Sequence, residues 1–314
     1  MKVSRLLCGC LSVMSITVSA ASFPEARLAN DKVEMAVYLP DVENGSYRST
    51  RFDWSGLVHS FRFEGVEYFG RWRSEPVHDP DMHFSVNGPA QIFGNLGYGE
   101  SDTFVRIGIG VLEKPDNDKR FDFTRPYRIV DHGDWEVSSQ DDHVEFVQSL
   151  QADSGYGYRY RKTVTLNEQG FTMAHELENT GKKAIDTTVF NHHFFVIDDR
   201  IVDEQYQVIF PFTPAKRNKE SRIELSDDSL QLLSAIDDDD RMFVPLTGFS
   251  DTSDHHQFRV HHNELNRGID VQVDQPLSRL VVWANDKSLS PENFIEVKVP
   301  VGESFSWTAD YRVY

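Results

Sequence analysis

Two histidines in a crowded aromatic stretch, a glutamate after a proline, and an arginine close to a tryptophan have the side-chain types that move protons and hold polar ligands. The histidines stand in Asn191-His192-His193-Phe194-Phe195, in the middle of the run Thr187 to Asp198. β-Branched and aromatic residues dominate this run, which predicts a strand. Neighbouring side chains of a strand point to opposite faces. Asn191, His193 and Phe195 are therefore expected on one face, with His192 and Phe194 on the other. A buried imidazole among aromatics either satisfies itself on a backbone carbonyl or serves chemistry, and the run alone does not choose between these.

Three further stretches carry candidates. Tyr47 to Gly56 places Arg51 three residues before Trp54. A guanidinium fork with an aromatic face can clamp a sugar, and the plain alternative is an arginine paired with Asp53 beside a core tryptophan. His78 to Pro89 is rich in Pro, Asp, Asn and Gly and reads as a loop, which places His78, His83 and Asn87 where functional residues concentrate. No cysteine and no helical histidine pair completes a zinc set there, so proton transfer or sugar hydrogen bonding fits better than metal. Glu292, after Pro291, is expected at the entrance of a strand, where a carboxylate is either held at a cleft or exposed on a turn. The pairs His255-His256 and His261-His262 flank a short strand and alternate faces, which suits ligands poorly. No nucleophile elbow, P-loop or dinucleotide fingerprint occurs.

The elements that must position these residues are strands. Lys32 to Leu39, Arg161 to Leu166, Gly268 to Val273 and Phe305 to Tyr314 alternate with a period of two. Only Ser226 to Ile236 offers a short helix or turn. With no fixed short repeat and no Pro/Gly-rich linker, the expectation is one all-β domain, a large sandwich or barrel.

The N-terminus reads as a secretory signal. Lys2 and Arg5 precede an apolar stretch, Leu6 to Val18, too short to cross a bilayer, and small residues end at Ala20-Ala21. A lipoprotein signal at Cys10 is the weaker alternative, since few apolar residues precede it. The expected division is 1–21 signal and 22–314 exported domain, periplasmic or secreted, with no membrane insertion. Both cysteines, Cys8 and Cys10, fall within the signal, so the exported part has no disulfide. Removing two bases from 32, against 50 acids, leaves −20. That disfavours nucleic acid and anionic membranes, though a local basic cluster can still hold an anionic sugar.

Together, Tyr47 to Gly56, Asp79 to Pro89, Phe104 to Val111, Glu178 to Gly181, Asn191 to Phe195 and Ser290 to Glu292 resemble the galactose mutarotase-like (aldose 1-epimerase) superfamily, in the branch with a Y-R-x-T-R-F-D-W-x-G opening. The resemblance runs from about Ala36 to Tyr314. It implies a β-supersandwich whose concave face binds a monosaccharide or short oligosaccharide, and anomer exchange without cofactor or metal. It further implies His192 as acid and Glu292 as base, with Glu296 an alternative, on opposite sides of the sugar. His83 is expected to orient the sugar and Arg51 to contact it. The chain departs from the branch at Phe84 and Gln91, where acidic residues are usual. That departure leaves a non-catalytic carbohydrate-binding protein as the rival, with a polysaccharide lyase or hydrolase behind it.

Overall fold

The structure, a computed structural model, describes residues 23–73, 78–116, 120–238 and 240–314. The expected signal peptide lies outside the described residues. Twenty-three strands and one 3-10 turn, Ser253–His255, make up the regular structure of the described residues, so the all-β expectation holds. The expected helix or turn at Ser226 to Ile236 is instead the strand Ser229–Leu232, paired antiparallel with Tyr206–Ile209. Leu230 and Leu232 are buried and Gln231 less so, a half-buried strand pattern that the short window around Asp227 and Asp228 hid.

Two sheets matter for the site. The larger has ten strands, from Ile223–Leu225 at one edge to Asp134–Ser139 at the other, with Ser304–Val313 and Gly170–Asn179 near its middle. The smaller has six, in the order Ala215–Lys216, Met242–Thr247, Arg279–Ala284, Leu289–Val299, Ile185–His192 and Ala90–Phe93, all neighbours antiparallel.

Alternation divides the six-stranded sheet into two chemically different faces. Val189, Asn191, Asn293, Ile295 and Phe93 turn toward the ten-stranded sheet, where Phe93 meets Tyr160 and Trp307 and the Asn191 amide donates to the Tyr311 hydroxyl at 3.0 Å. Thr188, Phe190, His192, Glu292, Phe294, Trp283 and Phe243 turn the other way, onto a cavity. Burying the first face fixes register, because a slip of one residue would exchange the two sets.

The strand carrying the histidines ends at His192, short of the Asp198 expected from composition. Phe194 sits at φ 49°, a left-handed conformation rare for a bulky residue, and this turns the chain out of the sheet. The two faces are nonetheless as alternation predicts. His193 donates from Nδ1 to the Pro291 carbonyl at 2.7 Å and stacks on Phe195, on the core side. His192 stacks on Phe194 on the other side, with ring centroids 3.8 Å apart.

Candidate active site

The cavity on the outer face of the six-stranded sheet has a volume of about 480 Å³, within the range of small-molecule sites. Its floor is His192, Glu292, Phe190 and Phe294, with Trp283 and Trp72 as walls. Loops supply Arg51, His83, Phe121, Phe123 and Arg241, and the end of the strand Thr103–Arg106 supplies Arg106.

His192 and Glu292 are brought together by strand register. Thr188 pairs with Glu296 and Val189 with Ile295. Continuing that register by three residues sets His192 opposite Glu292, and His192 Nε2 lies 3.2 Å from Glu292 Oε1. Glu292 is only 7% exposed, in the body of Leu289–Val299, so it is neither at a strand entrance nor on a solvent-facing turn. Glu296 lies four residues on, its side chain 60% exposed and paired with Lys298, and it is not among the cavity residues.

Burial controls the charge of the pair. It pushes the Glu292 carboxyl up to about 7, against the opposing pull of Arg51 and Arg279. Burial, reinforced by Arg51 and His193, holds His192 well below the usual histidine range, so its ring is neutral at pH 7. The expectation of two groups on opposite sides of a sugar is therefore replaced by two groups in direct contact. Phe194 and Trp283 fix the imidazole plane by stacking and by an edge contact at 4.8 Å.

Arg51 and His83 also line the cavity. Arg51 places its guanidinium carbon 4.8 Å from the Phe52 ring and 4.7 Å from the Phe123 ring. It does not pair with Asp53. That carboxylate is instead buried against Lys162, 2.6 Å away, and receives the Ser55 hydroxyl and backbone N–H, which pins the Tyr47 to Gly56 segment to the ten-stranded sheet. His83 is held down to about 4 by burial and by Arg51 and Arg73, so it too is neutral. Its loop is drawn in at Gly88, where a Cβ would collide with the His193 carbonyl.

Trp54, His78 and Asn87 are placed elsewhere. The Trp54 ring is buried, with Nε1 donating to the Ser49 carbonyl at 2.9 Å, so the core alternative was correct for it. His78 bonds the Ser46 carbonyl through Nε2 at 2.8 Å and packs against Phe23. Asn87 donates to the His59 carbonyl at 3.0 Å. None of the three is among the cavity residues. The two departures from the family pattern also miss the cavity lining. Phe84 is buried beneath Arg73, and Gln91 faces the core, accepting the Tyr160 hydroxyl at 2.7 Å.

Sequence reasoning missed Trp72, Phe123, Phe190, Arg241, Phe243, Arg279, Trp283 and Phe294. Arg279 and Trp283 stand four residues apart on the strand Arg279–Ala284 and so share a face, but the run Leu280 to Ala284 is apolar and buried throughout and gives no alternation to mark it. The paired histidines take structural roles. His256 bonds the Gln275 carbonyl and the Asn293 amide, and His261 meets the Tyr314 hydroxyl. Among the described residues no group of three or more His, Cys, Asp or Glu side chains could hold a metal, and no helix is long and apolar enough to cross a membrane.

No protein-family model and no curated protein matches the chain. Solved structures do match. A galactose mutarotase-like protein from Lactobacillus casei superposes with a TM-score of 0.59 at 14% identity, covering 92% of this chain and 100% of that one. A Synechocystis protein gives 0.58 at 14% identity, over 96% and 99% of the two chains. A GalM/aldose epimerase homologue from C. elegans gives 0.56 at 11% identity, over 93% and 99%. The fold is thus the galactose mutarotase-like β-sandwich. At these identities the likeness defines architecture and leaves activity to the site.

Proposed function

We propose that this chain is an exported aldose 1-epimerase-like enzyme that interconverts the anomers of a free sugar by acid/base ring opening, in the context of polysaccharide breakdown. The observation that carries this reading is the buried contact between His192 and Glu292 on the floor of an aromatic cavity, with the carboxyl raised to about 7. A general acid or base works best with its pKa near the working pH.

The chemistry needs one proton shared by the pair. The Glu292 carboxylate takes the proton of the C1 hydroxyl, C1=O forms, and the C1–O5 bond breaks with its electron pair going to O5. The His192 imidazolium gives O5 its proton. Glu292 is then the neutral acid and His192 the neutral base, which is the state burial favours. After rotation about C1–C2 the steps reverse, on the other face of the aldehyde. The pair carries one proton at every stage and so ends each turnover in the state in which it began, its two groups 3.2 Å apart. Arg51 and His83 orient the ring hydroxyls, and Trp72, Trp283 and Phe123 offer aromatic faces to the C–H surface of the sugar.

The test is anomer exchange followed by NMR or polarimetry on a panel of aldoses. Acceleration that disappears in Glu292→Gln supports the assignment, and unchanged acceleration in that variant contradicts it. One observation favours the rival, a non-catalytic sugar-binding protein: the two groups engage each other instead of standing apart. Saturable sugar binding with no acceleration by the wild-type protein would establish that rival.

A further inference from the structure

The cavity lining contains four arginines, Arg51, Arg106, Arg241 and Arg279, and one carboxylate, Glu292. The whole chain has a net charge of −18, so this surface runs against the balance of the molecule. Among the described residues none of the four arginines has a carboxylate within ion-pair distance, whereas Arg222 alone holds both Glu220 and Asp240.

The two inner arginines make the case strongest. Arg106 is 2% exposed. It spends Nη2 on the carbonyls of Arg51 and Phe93, at 3.0 and 2.8 Å, and its Nη1 and Nε are buried with no hydrogen-bond partner among the described residues. Arg51 Nε is likewise buried and unpartnered. A buried guanidinium without a counter-charge is costly, and donors left without acceptors add to the cost.

Glu292 is a poor counter-ion for them, since it meets His192 and burial outweighs the arginines in setting its charge. The nearby acids are engaged elsewhere. Asp122 accepts from Thr124, and Asp240 bonds Arg222 and the Arg241 backbone N–H. At the rim, Arg241 and Arg279 lie over the Trp72 and Phe294 rings, at 5.8 and 4.7 Å. Phe123 and Phe243 are 53% and 45% exposed at the same mouth. Aromatic faces beside unneutralised guanidinium forks suit a ligand that joins a sugar ring to a planar or tetrahedral anion.

We propose that the cavity selects an anionic sugar, one bearing a carboxylate or a phosphate, over its neutral counterpart. This rests on the sugar-directed reading of the site and narrows it to a substrate class. The ring packs on the aromatic walls with C1 at Glu292 and His192. The anionic group lies among the guanidinium groups and supplies the counter-charge that Arg106 and Arg51 lack.

Calorimetry on the full protein separates the possibilities, with glucose, galactose, glucuronate, galacturonate, glucose 6-phosphate and inorganic phosphate as probes. Each is titrated into wild type, Glu292→Gln, Arg241→Gln and Arg279→Gln. The expected result is that at least one anionic sugar binds about tenfold or more tightly than its neutral parent. Each exposed-arginine variant is expected to lose about ten- to a hundredfold of that affinity, and to lose more for the anionic sugar than for its neutral parent. Glu292→Gln is expected to keep the selectivity. Uronates above the phosphate sugar would assign a carboxylate ligand, and the reverse a phosphate. Neutral hexoses bound as well as every anionic sugar, or anionic affinity unaffected in both arginine variants, overturns the proposal. Anomer exchange measured in parallel keeps the two claims apart: selective anion binding without exchange removes the catalytic reading alone, and exchange on neutral sugars with no anion preference removes this one alone.

Discussion

His192 Nε2 and Glu292 Oε1 approach to 3.2 Å because two antiparallel strands place their residues opposite each other, not because a loop folds one onto the other. Groups on packed strands hold their geometry better than groups on loops. His192 is held between Phe194 and Trp283 and Glu292 is buried beside it, so protonation, not side-chain motion, is the main freedom of the pair.

The first expectation concerns pH. The active pair holds one proton, and Glu292 loses it as pH rises through about 7. Anomer exchange should therefore fall on the alkaline side with an apparent pKa near 7. It should fall again in acid, below the usual histidine range, when His192 takes a second proton. A rate that is flat from pH 5 to 9 would count against the pair.

Stability should carry the same signature. Glu292 has a folded pKa above its unfolded value of 4.5, so the fold binds the extra proton between about 4.5 and 7. Its contribution is present below 4.5 and is lost as pH rises through about 7. Glu292→Gln removes that loss. Relative to wild type, the variant should gain on the order of 2–3 kcal/mol between pH 4.5 and pH 8, read from denaturant midpoints at the two pH values. An unchanged difference contradicts the burial argument.

Asp53 and Lys162 form a fully buried ion pair that anchors the segment carrying Arg51. Asp53→Ala leaves a buried ammonium uncompensated and should cost about 3–5 kcal/mol. Replacing both partners by apolar residues should recover much of that. Thermal melts of the two single variants and the double variant test this, and additive losses would sink it.

Trp54 and Arg51 are neighbours in sequence with separate roles. Trp54→Phe removes a donor to the Ser49 carbonyl and should lower stability by about 1–3 kcal/mol, with KM unchanged. Arg51→Gln should raise KM with little change in melting temperature. The opposite pattern would return Trp54 to the sugar site.

The fold was legible because strand alternation was. The expectation that His192 and His193 face apart needed only the period of a strand, and the same period puts Glu292 and Phe294 on one face. What failed was inference from nearness in sequence. Trp54, His78 and Asn87 stand close to Arg51 and His83 along the chain, yet they bond to the Ser49, Ser46 and His59 carbonyls away from the cavity. Arg241, Phe243 and Trp72 come from distant segments that only the completed sandwich brings together, and no local pattern marks them. Composition also overextended the histidine strand, because Phe194, with a high strand propensity, is held at φ 49° by packing on His192, Trp72 and Trp283.

The most direct measurement is the rate of anomer exchange, by NMR, for wild type, Glu292→Gln and His192→Ala over neutral, carboxylated and phosphorylated aldoses. The account predicts acceleration by wild type on at least one sugar and a loss of about a hundredfold or more in each variant, with both variants folded. Wild-type rates in folded Glu292→Gln, or no acceleration by wild type on any sugar, would contradict it.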